Sequence, residues 1–279
     1  MQKKTTYALI AVIVIGIFAA LIFLNGNSSI GTNGTALAKY DNVPLSQQAL
    51  AKLHPPSSIF SSVGIGAGGN YPHIVNATPI LYDGKPAVIY VGADYCPFCA
   101  AERWALVIAL SRFGNFSELH YMTSSASDAY QNTPTFTFYN STYYSPYISF
   151  VEVEETTNKL NAAGTGYPIL QVPTPLENAT FYAFDQNASW IPQNERGGIP
   201  FIDLANYSVV DGANYEPTII DWMNWSTILS NFNNVNSSTT QAIIGSANLL
   251  TAQICNIDNN QPASVCGQPY IQNLKKATS

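Results

Sequence analysis

The chain has 279 residues, with 11 Lys plus Arg against 17 Asp plus Glu and a formal net charge of −6. Only 10% of the residues are charged, against roughly 25% in an ordinary soluble domain. Tyr is abundant, and polarity comes from Asn, Ser, Thr and Gln instead. The absence of a basic patch argues against nucleic acid as a partner. His54, His73 and His120 are scattered, and there is neither His-x3-5-His nor a second CxxC. That pattern argues against a zinc site, and neither a metal nor a cofactor is expected.

The first elements concern the membrane. Residues 1–6 are short and basic, and Tyr7 to Leu24 contains no charge and no Pro. A run of this length just spans a bilayer core. Lys3 and Lys4 place residues 1–6 in the cytoplasm, with a single-pass helix over 7–24 and the remainder outside. A cleaved signal peptide is the alternative, and Ala36-Leu37-Ala38 has the small-residue form of a cleavage site. The apolar run is longer than a usual signal core of about 7–15 residues, which favours an uncleaved anchor. Residues 25–44 read as a flexible spacer and 45–279 as the ectodomain. Ten Asn-x-Ser/Thr sequons occur, at Asn27, Asn33, Asn76, Asn115, Asn140, Asn178, Asn187, Asn206, Asn224 and Asn236. With 26 Asn and 45 Ser plus Thr, chance yields about four. The excess predicts a glycosylated surface. A charge-poor exterior would also suit an acidic environment, where carboxylates protonate and excess positive charge self-repels.

Leu45 to Leu53 predicts a short helix stopped by Pro55-Pro56, and Ser61 to Gly69 a loop. Thr78–Tyr82, the Asp83-Gly84 turn and Pro86–Val91 predict a hairpin. The second strand runs into Cys96-Pro97-Phe98-Cys99, and Phe98–Phe113 then reads as a helix buried on most sides. Strand, CxxC and helix together make a redox motif rather than half a metal site. A cysteine at a helix N-terminus faces unpaired N–H groups and the positive end of the dipole. Both favour the thiolate, which is the nucleophile. Cys99, one turn on, can resolve a mixed disulfide. An inert strand-to-helix disulfide is the alternative. Glu102 and Arg103 read as a solvated edge, and Asp94 as either a cap or a proton acceptor near Cys96.

Glu118–Thr123, Thr135–Tyr139 and Tyr147–Val153 predict strands, and residues 124–196 a large insertion, partly helical near Asn158–Ala163. Gly197-Gly198-Ile199-Pro200 then opens Phe201–Leu204. Pro donates no ladder bond, and a cis bond before Pro200 would explain its place at a strand start. Thr133-Pro134 is a rival for that role. Tyr207–Val210 follows as a strand, Pro217–Phe232 as a helix with Trp222 and Trp225 on its apolar side, and Thr240–Ile254 as a helix. Residues 233–279 form a helical extension in which Cys255 and Cys266 staple a polar loop. Four cysteines allow three pairings, of which 96–99 with 255–266 is favoured.

This order resembles the thioredoxin-like superfamily: strand, CPFC, helix and strand, then Ile-Pro before a hairpin and a helix. The resemblance implies an α/β fold, a mixed sheet flanked by helices. It implies Cys96 as nucleophile, Cys99 as resolving cysteine and Pro200 as the cis-proline facing them. Tyr95 departs from it, since thioredoxin has Trp there. Gly92–Phe113 and the Cys255–Cys266 pair also resemble an uncharacterised membrane-anchored family of thermoacidophilic archaea, known as a domain of unknown function. The expectation is an extracytoplasmic thiol–disulfide oxidoreductase. It would act as an oxidase or isomerase on cysteine-containing exported proteins, or exchange electrons with a membrane redox partner. A non-enzymatic glycosylated surface protein with structural disulfides is the alternative, and a copper- or haem-related assembly role a weaker third. Exposure of one sulfur beside Pro200 would discriminate the enzyme from the scaffold.

Overall fold

The computed structural model describes residues 37–278; the apolar run 7–24, the tail before it, and Asn27 and Asn33 lie outside them. Among the described residues no helix is long and apolar enough to cross a membrane. In chain order the strands are β1 (His73–Ile74), β2 (Leu81–Tyr82), β3 (Lys85–Gly92), β4 (Asn115–Thr123), β5 (Pro134–Tyr144), β6 (Ser149–Glu154), β7 (Phe201–Leu204) and β8 (Ser208–Asp211). The α-helices are α1 (Gln47–Ala51), α2 (Ser57–Val63), α3 (Pro97–Leu110), α4 (Pro175–Phe181), α5 (Trp225–Asn231), α6 (Ser238–Ile257), α7 (Ala263–Cys266) and α8 (Pro269–Ala277).

The main sheet is mixed and runs β1–β8–β7–β3, with β2 and β6 sharing the far edge of β3. β6 lies parallel to β3 from Ala87↔Ser149 to Gly92↔Glu154, whereas β7 is antiparallel to it. Alternation along β3 sends Val88 and Tyr90 into a large core beneath α3 and α6. Ala87, Ile89 and Val91 enter a smaller core with Phe181, Phe201 and Val209 on the other face. A strand covered on both faces needs apolar residues at every position, which is why this segment reads as a continuous apolar run. β4 and β5 form a separate antiparallel ribbon. It is docked on α3 by Trp104 Nε1 donating to the Pro134 carbonyl at 2.8 Å and Thr135 Oγ1 donating to the Ala100 carbonyl at 2.8 Å.

Several expectations are corrected. The expected insertion is not one block, because β6 lies within 124–196 and belongs to the main sheet. Asn158–Ala163 is not helical; Asn161 closes a turn there, its Oδ1 accepting from the Ala163 and Thr165 amides at 3.1 Å. The helix of that region is α4, started by the Thr174/Glu177 capping box. The expected 217–232 helix splits into a 3-10 turn, Pro217–Ile219, and α5. Asn224 begins α5 afresh by accepting from the Thr227 amide, a standard N-cap contact. Trp225 is buried as expected, but Trp222 is 66% exposed. From Leu37 onward the spacer is packed on the domain: Leu37 is buried, and Asp41 Oδ1 accepts from the Thr123 amide and hydroxyl.

The disulfide joins Cys255 to Cys266, with Cα atoms 5.5 Å apart, and ties the end of α6 to α7. The glycine-rich stretch after α2 lies against α6 at closest backbone approach. A Cβ on Gly245 would sit 2.1 Å from the Ile65 carbonyl oxygen, and one on Gly66 2.3 Å from that of Gln241. Gly245→Ala is therefore expected to force this loop off α6, at a cost of about 1–3 kcal/mol. Urea unfolding monitored by circular dichroism would show it as a lowered midpoint with an unchanged slope.

Candidate redox site

β3 delivers the chain to the start of α3, and Cys96 is the N-cap of that helix. Pro97 occupies the first helical position, where its missing N–H costs nothing and its φ is preset. Cys96 Sγ takes the place of a capping oxygen and accepts from the Cys99 amide at 3.2 Å. Ile199–Pro200 is a cis peptide, and when protonated Cys96 Sγ donates to the Ile199 carbonyl at 3.7 Å. Cys96 and Ile199, 103 positions apart, thus meet because β7 pairs beside β3. Pro134, the rival proline, is absent from the cis bonds and opens β5.

Both cysteines are free thiols, and the two sulfurs are electrostatically unequal. Burial opposes ionisation of Cys96. Hydrogen bonds from the Cys99 thiol and amide, the positive charge of Arg103 and the Phe98 amide outweigh it, and the Cys96 thiol is held below its ordinary value. Burial and the neighbouring Cys96 push Cys99 well above its own. Cys96 is therefore the more acidic of the two sulfurs, and Cys99 the one that holds its proton more tightly. Only 5% of Cys96 is exposed and none of Cys99. Tyr95 stacks on Tyr167 at 4.3 Å beside the motif, and Phe98 meets Tyr130 edge-on at 5.7 Å.

Beneath the motif lies a charged cluster. Arg103 is wholly buried, not a solvated edge. Its Nε and Nη2 donate to the two carboxylate oxygens of Glu154 at 2.8 and 2.6 Å, and Nη2 also donates to the Ala93 carbonyl at 2.8 Å. Asp94 Oδ1 lies 3.7 Å from Nη2. Two carboxylates against one guanidinium leave one negative charge in excess. Burial first, then the charge of Glu154, push Asp94 up to about 7, against the pull of Arg103. Glu102 is buried too, on another face of α3, where the Asn214 amide and Nδ2 donate to its carboxylate at 2.8 and 2.7 Å. Sequence reasoning missed Glu154, which follows directly on the alternating Tyr147–Val153 pattern. It missed Tyr90 as well, whose buried hydroxyl has no hydrogen-bond partner. The described sequon residues Asn76, Asn115, Asn140, Asn178, Asn187, Asn224 and Asn236 are exposed. Asn206 is half-buried, donates through Nδ2 to the Thr78 carbonyl at 2.9 Å, and sits at the end of β7 remote from Pro200.

The family described as "Domain of unknown function (DUF929)" matches residues 71–256. No curated protein and no solved structure matches the chain.

Burial raises Asp94, Glu102 and Asp203 to about 7. The folded chain then holds protons that the unfolded chain releases near pH 4. Stability should fall as pH rises from about 4 to 7 and level off above. Asp94→Asn should raise the melting temperature at pH 7 and flatten that slope, as thermal unfolding across this range would show. Arg103→Gln should leave Glu154 unpaired, at a cost of about 3–5 kcal/mol. It should also move the pH midpoint of Cys96 alkylation by iodoacetamide upward.

Proposed function

The chain belongs to the DUF929 family, and from that premise we propose that it is a thioredoxin-like thiol–disulfide oxidoreductase, tethered through residues 7–24 and facing outward. Its substrates would be cysteine-containing exported proteins or a membrane redox partner. The observation that carries this reading is a free Cys96 thiol at a helix N-cap, 3.7 Å from the carbonyl that precedes cis Pro200. The strand order β6–β3–β7–β8, with the cysteines after β3 and the proline opening β7, supports the thioredoxin-like layout.

In the reductive direction the Cys96 thiolate attacks one sulfur of a substrate disulfide. A Cys96–substrate bond forms, and the other substrate sulfur leaves as a thiolate. Cys99 then loses its proton and attacks Cys96 Sγ, which releases the second substrate thiolate and leaves a Cys96–Cys99 disulfide. The oxidative direction is the reverse, and the two reduction potentials decide between them. Asp94, buried two residues before Cys96, would take the Cys99 proton. It bonds to the Thr156 carbonyl through its own amide, which keeps it beside the motif. Pro200, lacking an N–H, leaves neighbouring backbone groups free for an extended peptide.

A second reading, a non-enzymatic glycosylated surface protein, is favoured by the burial of both sulfurs and by the exposed sequons. A thiol-trapping redox titration read by mass spectrometry separates the two. The enzyme requires Cys96–Cys99 to titrate between roughly −120 and −270 mV while Cys255–Cys266 stays oxidised, and Cys99→Ser to accumulate mixed disulfides at Cys96. A pair that resists reduction below about −300 mV, with no mixed disulfide, would leave the scaffold reading.

A further inference from the structure

Arg112 stands just beyond the end of α3 remote from Cys96. The ion pairs among the described residues are Arg103–Asp94, Arg103–Glu154 and His120–Glu118, and Arg112 takes part in none. Its guanidinium lies over the Phe60 ring at 4.3 Å and near Tyr270 at 5.7 Å. Nη1 donates to Asn248 Oδ1 at 3.0 Å and Thr251 Oγ1 at 3.1 Å, and Nη2 donates to the Tyr270 hydroxyl at 2.6 Å. A guanidinium has five N–H donors. These bonds hold three of them, which leaves Nε–H and one Nη2–H without a protein acceptor among the described residues. Every acceptor is neutral, so the cation is fixed in place but not compensated. The carbonyl end of α3 supplies only a partial negative charge.

Beside this cation lies a cavity of about 190 Å³, lined by Arg112, Tyr270, Leu53, Phe60, Ile108 and Val265 among others. It is smaller than the usual range of about 300–1,000 Å³ for drug-sized ligands. The cavity thus combines an anchored, uncompensated guanidinium with an apolar wall. The segment tied down by the Cys255–Cys266 bond, which contributes Val265, closes one side.

We propose that this cavity binds a small carboxylate with a short apolar tail. The carboxylate would accept from the free Nε–H and Nη2–H of Arg112 as a planar fork, and the tail would lie against Leu53, Phe60, Ile108 and Val265. The site is separate from the cysteine motif, which occupies the other end of α3, and does not depend on any redox role.

The test is calorimetric titration of the protein with sodium butyrate at constant pH and ionic strength. Butyramide, a neutral analogue of similar shape, and inorganic phosphate serve as comparison probes. Butyrate should bind saturably, with a dissociation constant of roughly 0.1–10 mM. Butyramide and phosphate should each bind at least about tenfold more weakly. Arg112→Gln should lose the same factor or more. Because that change could loosen α3, Ser264→Phe provides a second variant: Ser264 lies on the lining and is exposed. It should abolish butyrate binding while leaving the melting temperature unchanged. No saturable butyrate binding to the unmodified protein would overturn the proposal. So would equal binding of butyramide, tighter binding of phosphate, or undiminished butyrate binding in the Ser264→Phe variant.

Discussion

The Arg103–Glu154 pair joins the helix that carries the cysteines to the strand that runs parallel to β3. Both side chains are fully buried, and an isolated charge at that depth would be prohibitive. Each therefore requires the other, in a bidentate geometry that fixes the rotation of α3 about its axis. That rotation decides where Cys96 points. It also decides that Asp94, drawn toward the same guanidinium, lies under the motif rather than at its rim. Breaking the pair would strand a carboxylate under the cysteines. The electrostatics of the sulfurs and the packing of helix on sheet are in this sense one problem.

The two sulfurs show how a local arrangement makes different groups of identical residues. Cys96 is as buried as a core residue, yet the helix start and Arg103 stabilise its charge more than burial opposes it. Cys99, one turn further, has burial and its neighbour's charge against it. The acidities of the two thiols are thus separated by position rather than by residue type. The buried carboxyls Asp94, Glu102 and Asp203 share a related logic. Each is shielded from water, prefers its proton, and makes the fold more secure in acid. Together with the scarcity of surface charge, this gives a chain in which Glu154, paired with Arg103, is the ionised exception to these buried carboxyls.

The described sequons lie on exposed positions, with the exception of Asn206, whose amide already serves the β7–β8 turn. The C-terminal segment closes the far end of the molecule through the Cys255–Cys266 bond. It encloses an arginine whose fixed acceptors are all neutral. The two ends of α3 therefore differ in chemistry: a thiol held below its ordinary pKa at the first and a held cation at the last.

The sequence by itself determined the local elements of the site. The apolar run before Cys96, the helix after it, the Ile199-Pro200 step before a strand and the polar loop between Cys255 and Cys266 were all legible, because each is written in neighbouring residues through period, turn chemistry and spacing. Only the tertiary structure decided what lies around them. Glu102 and Arg103 looked solvated because charged residues usually are, and their partners Asn214 and Glu154 stand 112 and 51 positions away. β6 was read as a strand but assigned to an insertion, because parallel pairing with β3 leaves no mark in local pattern. The 217–232 segment looked like one helix because its apolar spacing continues across Asn224, where a side-chain cap restarts the chain. Long-range pairing of buried charge and strand register arise from the whole chain's collapse, and no short window of residues encodes them.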